Sequence, residues 1–207
     1  LFEGSSKNPG GFYQSLQSAN ILNEINDDRL EIEFICLEKD TYSFLEQKQF
    51  KVKLFTKSFY KRIFHFLMNF QFFTNLILNY KLTHPFTSFL NKNSYDLIIF
   101  LSPSILSYHC GKINFVNNIW DLDHKKNSPF PEHRSDYNFI KRELLINYVI
   151  FHGFKTIVAD EKTKNELIKI YKCDGNKIIV QSFIPYLPHL YENVKCNNDF
   201  KKIFEKF

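Results

Sequence analysis

Apolar positions along the chain fall into two alternating patterns. Short apolar runs at 31–37, 50–55, 95–101, 113–119, 155–159 and 178–183 have the length and residue types of strands. Leu1-Phe2-Glu3 reads as the tail of another strand. Between these runs, apolar residues return every third or fourth position. Phe12, Leu16, Ala19, Leu22 and Ile25 mark one helix, 58–80 a long aromatic one and Phe86 to Leu90 a short one. Two more helices are predicted at 137–151 and Glu161–Tyr171, the latter with Asp160 placed as its N-cap. Residues 121–133 form a polar loop, 173–176 a turn, and Pro185 and Pro188 end regular structure. The 95–101 run is almost continuously apolar up to Ser102-Pro103, as expected of a strand buried on both faces of a parallel sheet. This alternation predicts an α/β, Rossmann-like three-layer domain with a mostly parallel sheet over residues 1–190. Residues 191–207 would begin a linker toward a further domain.

Composition narrows the class. With 207 residues, 44% hydrophobic and 24% charged, the chain can bury a sizeable core, and disorder is excluded. The 24 phenylalanines carry no functional weight by themselves, since they match an AT-rich codon bias. Four cysteines, Cys36, Cys110, Cys173 and Cys196, form no CxxC pair and read as reduced, packed thiols of a cytosolic protein. No apolar run reaches the ~18–20 residues that span a bilayer. The longest, 64–78, is interrupted by His65, Asn69, Gln71 and Asn75. Starting at Leu1 and ending at Phe207, the sequence reads as a piece cut from a longer one.

The net charge of +5 is modest, but its distribution is uneven. No acidic residue lies between Glu46 and Asp96, where Lys48, Lys51, Lys53, Lys57, Lys61, Arg62, Lys81 and Lys92 all fall. A one-sign block points to an anionic partner. Within it, Phe59, Ile63, Phe66, Leu67, Phe70, Phe73, Leu76 and Ile77 form a helical stripe flanked by Lys57, Lys61 and Arg62. Such a stripe can lie in the headgroups of an anionic membrane, or simply cover the sheet. Nucleic acid is not an expected partner, for no recognition motif is present. The expected location is cytoplasmic, peripheral on the inner face of a membrane.

Two segments carry candidate chemistry. Gly4-Ser-Ser-Lys-Asn-Pro-Gly-Gly11 joins a strand end to a helix start, where free N–H groups and close backbone approach favour a phosphate. It is neither GxGxxG nor a P-loop, and a tight turn needing positive φ would explain it equally. Trp120-Asp121-Leu122-Asp123-His124, followed by Pro129-Phe130-Pro131-Glu132, lies just beyond a strand, at the carboxyl edge where open α/β sheets bind ligands. Two carboxylates, an imidazole and the single tryptophan can bind sugar hydroxyls or move protons. They can equally cap loop amides and fill the core.

Taken in order, several segments resemble the first domain of family 4 glycosyltransferases, the group-1 type that builds bacterial surface polysaccharides. They are the Gly-Gly helix start, Tyr-Asp-Leu-Ile, Trp-Asp-Leu-Asp-His with Phe-Pro-Glu, Thr-Ile-Val-Ala-Asp-Glu-Lys-Thr-Lys-Asn-Glu-Leu, and Tyr-Lys-Cys-Asp-Gly-Asn-Lys-Ile-Ile-Val-Gln-Ser-Phe-Ile-Pro. The likeness covers most of residues 9–188. It implies a GT-B fold whose second domain grips a nucleotide-sugar donor while the first binds a saccharide or lipid-linked acceptor. It further implies retention of configuration, no obligatory metal, and no cofactor, the nucleotide-sugar being a substrate.

By motif, Gly10 and Gly11 would lie against the donor diphosphate. Asp121 and His124 would be the catalytic candidates near the transferred sugar, with Trp120, Asp123 and Glu132 as sugar or acceptor contacts. Trp120 stands where much of the family has histidine; it can stack on a sugar ring but cannot exchange protons as imidazole does. His109 could also face the cleft, although a lone loop histidine is more often at the surface. The chain would then be the acceptor-side half of a hexosyltransferase, inactive on its own. A rival expectation is a non-catalytic α/β module on an anionic membrane, or a subunit of a split glycosyltransferase. An epimerase or dehydrogenase would need the absent GxGxxG and Tyr-x-x-x-Lys.

Overall fold

A computed structural model describes residues 1–3, 9–25, 27–55, 84–125 and 136–182. Its elements are helix α1 (Pro9–Asn23), strand β1 (Phe34–Cys36), helix α2 (Lys39–Gln47), strand β2 (Val52–Leu54), helix α3 (Pro85–Lys92) and strand β3 (Leu97–Ile99). Strand β4 (Asn114–Ile119), helix α4 (Asp136–His152), strand β5 (Lys155–Val158), helix α5 (Glu161–Tyr171) and strand β6 (Ile178–Val180) follow. The long helix expected at 58–80, with Lys57, Lys61 and Arg62, lies outside the described residues, as do Glu132, Cys196 and residues 191–207.

All strand pairs are parallel, β1 with β2 and, in order, β3-β4-β5-β6. Leu1–Glu3 joins these two sheets. Phe2 N–H donates to Ile35 at 2.8 Å, and Leu101 N–H donates to Leu1 at 3.1 Å. The Leu1 nitrogen donates to Ile99 at 2.5 Å. The combined order is therefore β2, β1, Leu1–Glu3, β3, β4, β5, β6, with the direction of winding reversing at Leu1–Glu3.

Right-handed crossovers leading opposite ways along a sheet put their helices on opposite faces. Accordingly Phe12, Leu16, Ala19 and Leu22 of α1 and Leu45 of α2 share one core with Phe2, Phe34, Val116 and Ile157. On the other face, Phe86 and Leu90 of α3, Val149 and Ile150 of α4 and Leu167 of α5 share a core with Leu1, Ile35, Phe115 and Val158. Adjacent strand residues feed opposite cores, which is why the strands read as apolar on both faces. The architecture is the expected Rossmann-like three-layer α/β fold.

Local sequence explains most boundaries. Pro9 and Pro85 open α1 and α3, where a missing N–H is harmless. Asp160 caps α5 by accepting from Thr163 N–H at 2.6 Å. Two expectations are corrected, and one helix was not expected. Strands β1, β2, β3 and β6 are shorter than their apolar runs, three residues each: Phe55 and Phe100 add one further bond apiece, to Cys36 and Val116 at 2.8 and 2.9 Å, whereas buried Phe50 turns its N–H back to Leu45. The unexpected helix is α2, which buries only Thr41 and Leu45 among charged neighbours, a pattern too sparse to read from sequence. His109 is not a surface residue: it is buried and stacks on His84, ring centroids 4.0 Å apart.

Cys36 and Cys110 are free and buried, and burial pushes both thiols up to about 12. Part of the basic block is neutralised: Lys53 pairs with Glu33 at 3.0 Å, and Lys51 pairs with Glu31. Among the described residues, no helix is long and apolar enough to cross a membrane.

Candidate functional site at the switch of the sheet

The site begins with two asparagines in the middle of β4. Asn117 and Asn118 are buried among Phe115, Val116 and Ile119, where each amide must find partners. Asn117 accepts from Ser104 N–H at 3.2 Å and donates to Ser104 C=O at 2.9 Å. It thereby fixes the chain that leaves β3. The Ser104 hydroxyl donates in turn to the Glu3 carboxylate, and the Ser15 hydroxyl of α1 donates to Leu101 C=O at 3.3 Å. These bonds lace together Leu1–Glu3, β3 and β4 at their carboxyl ends. This is the point where the winding reverses, the ligand position general to doubly wound sheets.

Trp120 follows β4 into this place, half-buried, and it meets the start of α1. A Cβ on Gly11 would lie 3.1 Å from Trp120 Cη2. Gly10 and Gly11 lie within helix α1, so a left-handed turn is not what Gly11 serves. Its hydrogen atom makes room for the indole. The structure thus brings Gly11 and Trp120 together; residues 4–8 lie outside the described residues.

The chain beyond Trp120 is fastened to α4 by neighbouring polar contacts. Asp121 Oδ1 accepts from Asp123 N–H at 2.9 Å, which shapes the turn over Asp123–Lys125. Asp121 also accepts from both terminal nitrogens of Arg142, at 3.2 and 3.4 Å. Both side chains are about a third exposed, 35% and 38%, so the pair faces solvent. His124 points the other way. Its side chain is 1% exposed, and Nε2 lies 2.6 Å from Glu143 Oε1. That oxygen also accepts from the Tyr171 hydroxyl at 2.6 Å, while Oε2 receives Lys125 at 2.7 Å.

Burial alone would raise the Glu143 pKa, but hydrogen bonds from Lys125, Tyr171 and His124 outweigh it and hold the carboxyl below its usual range. An ionised Glu143 can only accept, so the imidazole presents Nε2–H to it. His124 Nδ1 is buried without a hydrogen-bond partner. Burial, then the bond to Glu143, pushes the Tyr171 phenol well above its usual range.

Asp121 and His124 are therefore three positions apart in sequence but engaged in separate clusters, with Arg142 and with Glu143. Sequence reasoning missed both partners. Lys141-Arg142-Glu143 is a charged triplet inside the apolar pattern of α4, and that interruption was the available signal. Asn117-Asn118 inside a buried strand was another. Among the described residues, no group of three or more His, Cys, Asp or Glu is placed to hold a metal ion. No protein-family model matches the chain, and no curated protein matches it.

Proposed function

We propose that the chain is the acceptor-side half of a glycosyltransferase that moves a sugar from a nucleotide-sugar to an acceptor hydroxyl, in polysaccharide or glycolipid assembly at a cytoplasmic membrane face. The observation that carries the reading is the meeting of Gly11, Trp120 and the Asp121–Arg142 pair at the reversal point of the sheet. An aromatic residue directly followed in sequence by a solvent-facing carboxylate that is paired with a guanidinium suits a polar ring flanked by an anion. Asp121 would accept hydrogen bonds from sugar hydroxyls. Arg142 would offset charge developing on the diphosphate, a role that needs a preorganised cation rather than a metal. His124, enclosed and bonded to Glu143, would be a positioning residue that holds the Trp120–Asp121 turn to α4.

Trp120 is the single tryptophan, so its emission reports this place alone. Titration with nucleotide-sugars and with mono- and oligosaccharides is expected to shift that emission saturably. Asp121→Ala is expected to weaken the response about tenfold or more, as for a lost charged hydrogen bond. Absence of any saturable response to either ligand class, with the fold intact by circular dichroism, would overturn the proposal.

A second reading follows from the partners already held by Asp121 and His124. Their engagement favours a non-catalytic binding module, and for that reading the same titration would succeed with saccharides while no donor is consumed after the companion domain is supplied.

A further inference from the structure

Three strands end side by side next to the candidate site. Ile119 pairs with Val158 and Val158 with Val180, so one residue further along each chain Trp120, Ala159 and Gln181 form a row. Gln181 N–H donates to Val158 C=O at 2.8 Å, which carries the β5–β6 register up to that row. Successive strand residues face opposite sides of a sheet. Ile119 and Val158 belong to the core under α3, α4 and α5, and Val180 packs against it, so the row turns to the α1 side. Ile157 and Ile179, two residues before Ala159 and Gln181, lie in the α1 core, and Trp120 meets Gly11 of α1. Asp121, one residue on from the indole, turns instead to Arg142 of α4.

The row is uneven. At one end is the half-buried indole, backed by Gly11. In the middle Ala159, the smallest of the three side chains, is itself only half-buried, so the space above it is open. At the other end Gln181 is 8% exposed, and its Oε1 is buried without a hydrogen-bond partner. An orphaned buried acceptor is costly, and native proteins keep few of them without a use. Two strand spacings separate the ends of the row by about 10 Å, room for one six-membered ring between indole and amide. The row carries no charge, so its guest is neutral. It needs an apolar face for the indole and a donor for Oε1, which a sugar ring and its hydroxyls supply.

We propose that Trp120, Ala159 and Gln181 form a subsite for one neutral hexose unit of the acceptor. One face of the ring rests on the indole, Ala159 is the floor, and a hydroxyl donates to Gln181 Oε1. This assignment rests on the glycosyltransferase reading and adds to it a place and a chemistry for the acceptor. It leaves the Asp121–Arg142 pair, turned to α4, for the donor.

The test titrates the full chain with methyl hexosides and neutral hexose disaccharides, followed by calorimetry and by Trp120 emission. The parent is expected to bind saturably. Ala159→Leu fills the gap and is expected to weaken binding about tenfold or more, with circular dichroism unchanged. Gln181→Met keeps the length of the side chain but not the acceptor, and is expected to weaken binding about five- to tenfold. The same change is expected to raise Tm by about 2 °C or more, because the orphaned acceptor is gone. A residue that merely held the fold would not move binding and stability in opposite directions. Binding undiminished by either substitution, or a Tm lowered by Gln181→Met, would overturn the subsite and leave the glycosyltransferase reading standing. Binding of nucleotide-sugars with none of neutral saccharides would do the same. Silence toward both classes would overturn the subsite and that reading together.

Discussion

Glu143 shows how much one carboxylate can organise. It accepts from His124, Tyr171 and Lys125, and so joins the turn after β4 to both α4 and α5. Its pKa is depressed in the folded state, so its contribution is complete above the unfolded value near 4.5 and is lost as pH falls through the lower folded value. Glu143→Gln is therefore expected to be less stable than the parent at pH 7, by about 1–3 kcal/mol for the broken charged bonds. The gap should narrow between pH 5 and pH 3, which urea unfolding at the two pH values measures. Gly11 makes the complementary point. Its place at a helix start was legible, but the reason for glycine there was not, because the atom that excludes a Cβ belongs to Trp120, 109 positions later. Asp121 and His124 were legible as a cluster for the opposite reason: closeness in sequence is visible, whereas the side to which each turns depends on Arg142 and Glu143.

Elements with local causes were read well. Helix α5 spans Glu161–Tyr171 as expected, because its cap, its apolar spacing and its end all lie within thirteen residues. Asp160→Ala removes the bond to Thr163 N–H and is expected to cost about 1 kcal/mol in thermal or denaturant unfolding. At the other end Lys172 sits at φ 54°, a left-handed conformation that a lysine side chain disfavours. Lys172→Gly is expected to stabilise by about 0.5–1 kcal/mol in the same measurement. Opposite signs at the two ends of one helix would show that local chemistry sets its limits. Strand lengths were read less well. An apolar run records burial, while a strand also requires a paired neighbour, and Phe50, buried ahead of β2, bonds back to Leu45 of α2 instead of across to β1.

At the scale of the whole molecule, two cores lie on opposite faces of one sheet, and β1, β3, β4, β5 and β6 each contribute to both. Phe12→Ala, under α1, and Phe86→Ala, under α3, are each expected to cost about 3–5 kcal/mol. Because the sheet couples the cores, either change should lower a single unfolding transition, seen alike by circular dichroism and Trp120 emission. Two separated transitions would mean that the faces unfold independently. The alternation of doubly apolar runs with helical spacing by itself determined a parallel α/β layer fold, since only strands covered on both faces need such residues in succession. The caps and the exclusion of a membrane-length apolar run were equally local. Only the tertiary structure decided that Leu1–Glu3 is the reversal point of the sheet, that Trp120 rests on Gly11, and that Asp121 and His124 turn to different partners. Those relations join residues up to about a hundred positions apart, and no local pattern of polarity encodes which distant side chain a folded sheet will bring alongside.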